Sequence, residues 1–197
     1  REFAEEVVVP RVAEMERGRV PPVDIFHAMG ERGFLGITVP PEYGGMGLGH
    51  LARLLAIEEI SRYSPAMGFM LQVFALGEAP ILDFGSPAQK EKYLPDLARG
   101  DYFATVTVTE ATGGSNPFGL TMTADRDGDN YILNGRKVFI TGSSLCRLHT
   151  ISAITGQDER GRKVVTAFLV TSDLPGFKTG REEHKSGLWG TQLGEVV

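Results

Sequence analysis

Near residue 101 the chain changes period. Before that point apolar positions fall at helical spacing; after it they alternate one in two. Phe3 and Val7, with Ala4 and Val8, lie four apart, and Pro10 is expected to kink or end the helix they begin. Asp24 is a candidate N-cap for a short helix over 25–32 that closes at Gly33. Leu51, Leu54, Leu55 and the run 57–60 give a broad apolar face, which predicts a well-covered helix. Residues 66–84 read as a nearly all-apolar helix central in a bundle, its methionines serving as core filler. Ser86-Pro87-Ala88-Gln89 is the sharpest local signal. Serine stands at the N-cap, proline at the first helical position, and glutamine three residues on can reach back, which makes a capping box. That helix should run to Arg99 and stop at Gly100. Residues 1–101 thus read as an all-α domain.

Residues 102–110 (YFATVTVTE) alternate cleanly and are rich in β-branched side chains, so they should form a strand. Further strands are expected over 121–124, 131–133, 137–141, 149–155 and 163–170, with Asp127-Gly128 and Asn134-Gly135 between the early ones. Asn-Gly predicts a tight hairpin, because both of its residues accept positive φ. Short strands with turn signals and no helices between them argue for a barrel or sandwich over 102–197, not a parallel βαβ sheet.

Composition narrows the function. The 197 residues carry 20 Lys and Arg against 25 Asp and Glu, a net charge of −5. A mildly acidic chain lacks the clustered cations of a generic nucleic-acid binder. No apolar run reaches the roughly 18–20 residues of a membrane span, since Gln72 and Glu78 interrupt the most apolar stretch. The one cysteine, Cys146, cannot form an internal disulfide, which fits a reducing compartment. The chain opens at Arg1 with no methionine, inside a helical pattern, so both ends are treated as candidate cut points.

Two glycine clusters invite a phosphate reading. The first, Tyr43-Gly44-Gly45-Met46-Gly47-Leu48-Gly49, follows Pro40-Pro41 in helical surroundings instead of a buried strand, so a structural turn is the better reading. The second, Thr109-Glu110-Ala111-Thr112-Gly113-Gly114-Ser115-Asn116, directly follows a strand. Paired glycines bare successive amides and nearby hydroxyls add donors, though an ordinary polar loop has the same composition. Phe139-Ile140-Thr141-Gly142 ends a strand with an aromatic face and a hydroxyl, the parts that flank a planar cofactor, and equally the parts of a sheet core. Cys146 and His149 read as a buried thiol and an unrelated histidine, because nothing lowers the thiol pKa. The four histidines show no metal-ligand spacing, so no metal is expected. Arg181, His184 and Lys185, diluted by Glu182 and Glu183, read as a solvated turn.

Taken in order, these segments resemble the acyl-CoA dehydrogenase family over nearly the whole chain. The resemblance rests on GFLGITVP at 33–40, Glu42-Tyr43-Gly44-Gly45, Glu58-Glu59-Ile60-Ser61-Arg62, and Phe84-Gly85-Ser86 leading to Gln89-Lys90-Glu91-Lys92-Tyr93-Leu94-Pro95. Val108-Thr109-Glu110, Gly114-Ser115, Leu133-Asn134-Gly135 and Lys137-Val138-Phe139-Ile140-Thr141 complete it. It implies an α-helical domain over 1–101 and a middle antiparallel β-barrel domain over 102–197, incomplete at its C-terminus, an α+β fold. It implies FAD against the barrel, held by Val106, Val108, Thr109, Gly114, Ser115, Phe139, Ile140 and Thr141, with Ser115 also near the substrate. Glu110 is then a loop brace.

The implied reaction is α,β-dehydrogenation of an acyl-CoA or carrier-protein acyl thioester, the hydride passing to flavin N5 and thence to an electron-transfer acceptor. The family's base is a glutamate of a C-terminal helical domain, so no catalytic residue is assigned here and the fragment alone is expected to be inactive. A homodimer or homotetramer in the cytoplasm, or in the mitochondrial matrix of a eukaryote, is the implied setting. A flavin oxidase or monooxygenase on the same fold, or a non-catalytic binding module, are the alternatives. Ala111 for the usual proline, Asn116 for aspartate, Thr107 for a small residue, Phe139 for tryptophan and Trp189 for arginine depart from the family pattern.

Overall fold

A computed structural model describes residues 1–116 and 119–197, and the chain forms two compact units. One comprises Arg1–Ala104 with His184–Gln192, the other Thr105–Glu183 with Leu193–Val197.

The first unit is helical. Its opening run is irregular: a π-helical turn over Ala4–Val8 and a 3-10 turn over Val9–Arg11, holding Pro10, lead into α1 (Val12–Gly18). Pro10 thus bends the run without ending it, since a proline tolerates the first turn of a helix. Helix α2 (Val23–Glu31) starts directly after Pro22, two residues earlier than expected. Asp24 does not cap it; its carboxylate accepts from Arg11, 2.6 Å away. Helices α3 (Gly49–Ser61), α4 (Pro65–Phe84) and α5 (Pro87–Arg99) follow. The capping box at α5 forms as read: the Gln89 amide donates to Ser86 Oγ, the Ser86 amide donates to Gln89 Oε1, and Gly100 terminates the helix.

Helix α4 is the core helix, with Met67, Met70 and Leu71 fully buried and Phe74 stacked on Phe103 at 4.4 Å between centroids. Phe26 meets both rings edge-on. Two expectations fail here. Helix α4 runs unbroken as read, but Gln72 and Glu78 do not keep it short of a span: at 20 residues, with a mean hydropathy of 1.3 over an 18-residue window, it is long and apolar enough to cross a membrane by those measures alone. It is 61% buried in the fold over that window, as a core helix is. Helix α3 is also less covered than its pattern suggests. Leu51, Leu54 and Leu55 are 73%, 54% and 55% exposed, because its apolar side chains run all round and α4 takes only one side.

The segment 184–192 belongs to this unit. Trp189 lies under the Arg19 guanidinium at 4.1 Å, and Lys185 donates to the Leu188 carbonyl and to the Thr191 hydroxyl and carbonyl. Lys185 is therefore a bound part of the turn, not a solvated cation.

The second unit is built from sheets. β1 (Ala104–Thr107), β5 (Leu148–Gln157), β2 (Thr123–Asp127) and β3 (Asn130–Asn134) lie in that order, with β6 (Lys163–Thr171) also on β5. A separate sheet has the order β4 (Lys137–Thr141), β8 (Leu193–Val196), β7 (Thr179–Glu182). The pairing is not wholly antiparallel, because β2 meets β5 in parallel at Thr123 and Ile154. Nor do the described strands pair into one closed ring.

The expected Asn134-Gly135 hairpin is absent: β3 pairs back with β2 around Gly128-Asp129, while β4 pairs with β8. Gly135 instead takes φ +155° where the chain passes from one sheet to the other, and a Cβ there would strike Met122 at 2.7 Å. Close approach, not turn type, demands the glycine. Between the sheets lie Met122, Ala124, Ile140, Ile151, Ala153 and Val196.

Candidate functional site

Strand β1 and the residues after it alternate as a half-covered strand must. Thr105 and Thr107 are buried, whereas Val106, Val108 and Thr109 are half-buried. The chain then turns tightly: the Glu110 and Gly113 amides donate to each other's carbonyls, and 111–116 is exposed. Gly114 folds back over Thr109. A Cβ there would come within 2.9 Å of Thr109 Oγ1, so any larger residue would have to displace the threonine side chain.

Strand β4 lies alongside. The Val138 amide donates to the Thr109 carbonyl at 2.9 Å, and Thr105 Oγ1 donates to the Thr141 carbonyl at 2.9 Å. These two bonds bring the glycine loop and the Phe139–Thr141 stretch together. Between buried Val138 and Ile140, Phe139 is 59% exposed and takes φ +56°. The register of β4 on β8 slips between Lys137 and Ile140, so Phe139 lies within the bulge. A left-handed phenylalanine costs about 1–3 kcal/mol, and such strain concentrates where a side chain is aimed at a ligand. Ile140 behaves differently: its side chain is in the core, so only its backbone is at this edge.

A buried ion pair holds the arrangement. Lys137 Nζ donates to Glu110 Oε1 at 2.8 Å and to the Val108 carbonyl at 3.0 Å, and neither charged side chain is more than 2% exposed. Glu110 also accepts from the Thr121 amide and hydroxyl and from the Met122 amide. Burial alone would raise its pKa, but the Lys137 ammonium and the Thr121 and Met122 donors outweigh burial and lower it to about 2. Burial lowers the Lys137 pKa, with Glu110 opposing. Glu110 is thus the loop brace expected of it. Lys137 was legible only as a motif letter, since an alternating strand gives no sign that a lysine turns inward.

Behind β1, Thr107 Oγ1 lies 3.1 Å from His149 Nδ1, and His149 Nε2 lies 2.9 Å from the Cys146 carbonyl. The carbonyl can only accept, so Nε2 carries the proton and Nδ1 accepts from the threonine. Burial lowers the His149 pKa to about 4, which keeps the ring neutral. Cys146 and His149 are therefore related, but through a backbone carbonyl and not through the thiol. The thiol is buried and its pKa is raised by burial, the opposite of a nucleophile's.

The first glycine cluster spends its amides internally: Gly45, Met46, Gly47 and Leu48 donate to the carbonyls of Pro40, Gly36, Val39 and Ile37. It is a structural turn, its donors already committed within the chain. Among the described residues no three His, Cys, Asp or Glu side chains group as metal ligands.

Comparison with known proteins matches this architecture. The family model described as "Acyl-CoA dehydrogenase, N-terminal domain" matches residues 1–101, and that of the middle domain matches 105–197. An acyl-CoA dehydrogenase of Bacillus subtilis is 39% identical over the whole chain, which covers 52% of that protein. The chain spans about half the length of the curated relatives it matches. Butyryl-CoA dehydrogenase from Megasphaera elsdenii superposes with a TM-score of 0.93 at 30% identity, covering 100% of this chain and 52% of that one. The acyl-CoA dehydrogenase from Bacillus anthracis complexed with FAD gives a TM-score of 0.89 at 32% identity, over 100% of this chain and 33% of that one. Paired strands, braced glycine loop and matching domain models lead to one assignment: the chain belongs to the acyl-CoA dehydrogenase family.

Proposed function

We propose that this chain forms the flavin-holding part of an FAD-dependent acyl-thioester dehydrogenase, with the loop 109–115 and the stretch 139–141 as its two walls. The residues suit the group. A flat ring needs an apolar face and donors at its edge, and Phe139, Val106 and Val108 offer the first while Thr109 and Thr141 offer hydroxyls on adjacent stretches. Exposed Gly114 and Ser115 offer amides and a hydroxyl suited to pyrophosphate, and Ser115 is also the candidate nearest the thioester. Ile140 contributes backbone alone. When bound, FAD supplies the two-electron acceptor for hydrogen leaving the β-carbon of the acyl group.

The chain's own share is positioning. Lys137 and Glu110 fix the loop, the bulge turns Phe139 outward, and apolar Val106 and Val108 keep water from the face they cover. No carboxylate of residues 1–197 is assigned as the base; in this reading it comes from a further helical domain. The dimer or tetramer, the electron acceptor and the cytoplasmic or matrix setting belong to the same proposal. In this proposal the two sheets and their shared core correspond to the barrel that the family pattern implies.

The observation that carries this reading is the Val138–Thr109 backbone bond, which joins two stretches separate in sequence. Purified protein mixed with FAD should retain the flavin through desalting, with its visible bands. Anaerobic addition of a saturated acyl-CoA to the FAD-loaded full-length protein, with the further helical domain that supplies the base, should bleach those bands without oxygen uptake when air is admitted. Oxygen consumption coupled to substrate would favour an oxidase, and failure to retain FAD would overturn the reading.

A further inference from the structure

His149 uses its two ring nitrogens on two different parts of the proposed site. Through Nδ1 it holds Thr107, which sits between Val106 and Val108 at the end of β1. Through Nε2 it holds the carbonyl of Cys146, at the close of the turn that directly follows Thr141. That turn is itself closed by the Leu145 and Cys146 amides donating to the Gly142 carbonyl. His149 is fully buried and Thr107 likewise, so neither is available to a ligand. Sequence reading marks Thr107 as unusual for its place and leaves His149 without a partner; together they form one connection.

We propose that His149, acting through Thr107, is a positioning residue that sets the spacing between the two stretches contacting the flavin, without touching the flavin itself. This rests on the flavin reading above. Strand β1 is tied at two inward-facing hydroxyls: Thr105 to the carbonyl of Thr141, and Thr107 to the imidazole. The first tie fixes β1 against the end of β4, and the second fixes it against the start of β5. Beyond the backbone pairing of β1 with β5, these two ties at alternate residues bracket the intervening Val106 and fix the face of the strand on which it lies. The imidazole does this as a neutral group with a defined tautomer, so it adds no charge behind the ring.

The test compares Thr107→Val, which keeps shape and removes the hydroxyl, with Thr107→Ser, which keeps the hydroxyl, and with His149→Phe. Each is titrated with FAD, and the midpoint potential of the bound flavin is measured. Loss of one buried hydrogen bond should weaken FAD binding about tenfold in Thr107→Val and His149→Phe. The flavin potential should shift in both, while Thr107→Ser keeps wild-type affinity and potential. A folded Thr107→Val protein with wild-type affinity and potential would overturn the proposal, as would equal losses in Thr107→Ser and Thr107→Val, which would mark a packing effect. Should His149→Phe not fold, the threonine pair decides. If the unaltered protein itself fails to bind FAD, the flavin reading falls and takes this proposal with it; if it binds and Thr107→Val binds equally, only this proposal falls.

Discussion

Replacing Lys137 by methionine would leave the Glu110 carboxylate buried without its cation. The variant should lose about 3–5 kcal/mol of stability, because an uncompensated buried charge costs far more than the pair contributes. Urea unfolding measures the loss, and a value under about 1 kcal/mol would show that Glu110 finds another partner. The same carboxylate and His149 make the protein acid-sensitive in two distinct windows. The folded His149 pKa lies near 4 against 6.5 ordinarily, so the unfolded chain takes up a proton first as pH falls below 6.5. About 3 kcal/mol of stability is lost between pH 6.5 and 4 from this group. Glu110, lowered from 4.5 to about 2, contributes stability that is complete above pH 4.5 and lost as pH falls from there to about 2. In a series of unfolding midpoints against pH, His149→Phe should flatten the upper window and leave the lower one intact.

At the scale of elements, the clearest signals were those with a single physical cause. The Ser86–Gln89 capping box formed as read because each partner satisfies an amide that the first helical turn must leave unpaired. Ser86→Ala should cost about 1 kcal/mol of stability with no change in flavin binding. A thermal melt compared with the unaltered protein tests this, and an unchanged melting temperature would contradict it. Signals with two possible causes misled. Asn134-Gly135 has the composition of a hairpin, yet its glycine serves close passage beside Met122 at a crossing between sheets. Asp24 looked like a cap, but α2 already starts after Pro22, and Arg11 claims the carboxylate. The leucines of α3 are apolar on more than one side, and period alone does not say which side a neighbour covers.

For the whole molecule, the division into a helical and a sheet part was legible because hydrophobic period is a local property. The pairing of strands was not, since it depends on which edges meet. Short β7 went unread for a related reason: Thr179–Glu182 is exposed throughout and carries no alternation to detect. The candidate site was legible as two glycine- and aromatic-bearing stretches, and their motifs named most of its outward-facing residues. Its support was hidden. Lys137, Thr105, Thr107 and His149 act through inward-facing bonds to residues far along the chain, which spacing cannot reveal. Between the two glycine clusters, context discriminated where composition did not: one follows a strand and stays exposed, the other consumes its amides.

In the proposed function, loop 109–115 and stretch 139–141 hold the flavin together. The most direct measurement is the change in backbone amide NMR signals of the isotope-labelled protein as FAD is added. Shifts are expected to concentrate at Val106, Val108, Thr109, Gly114, Ser115 and Phe139 to Thr141, with the Gly44 to Gly49 turn unmoved. Shifts centred on that turn, or confined to only one of the two stretches, would contradict it.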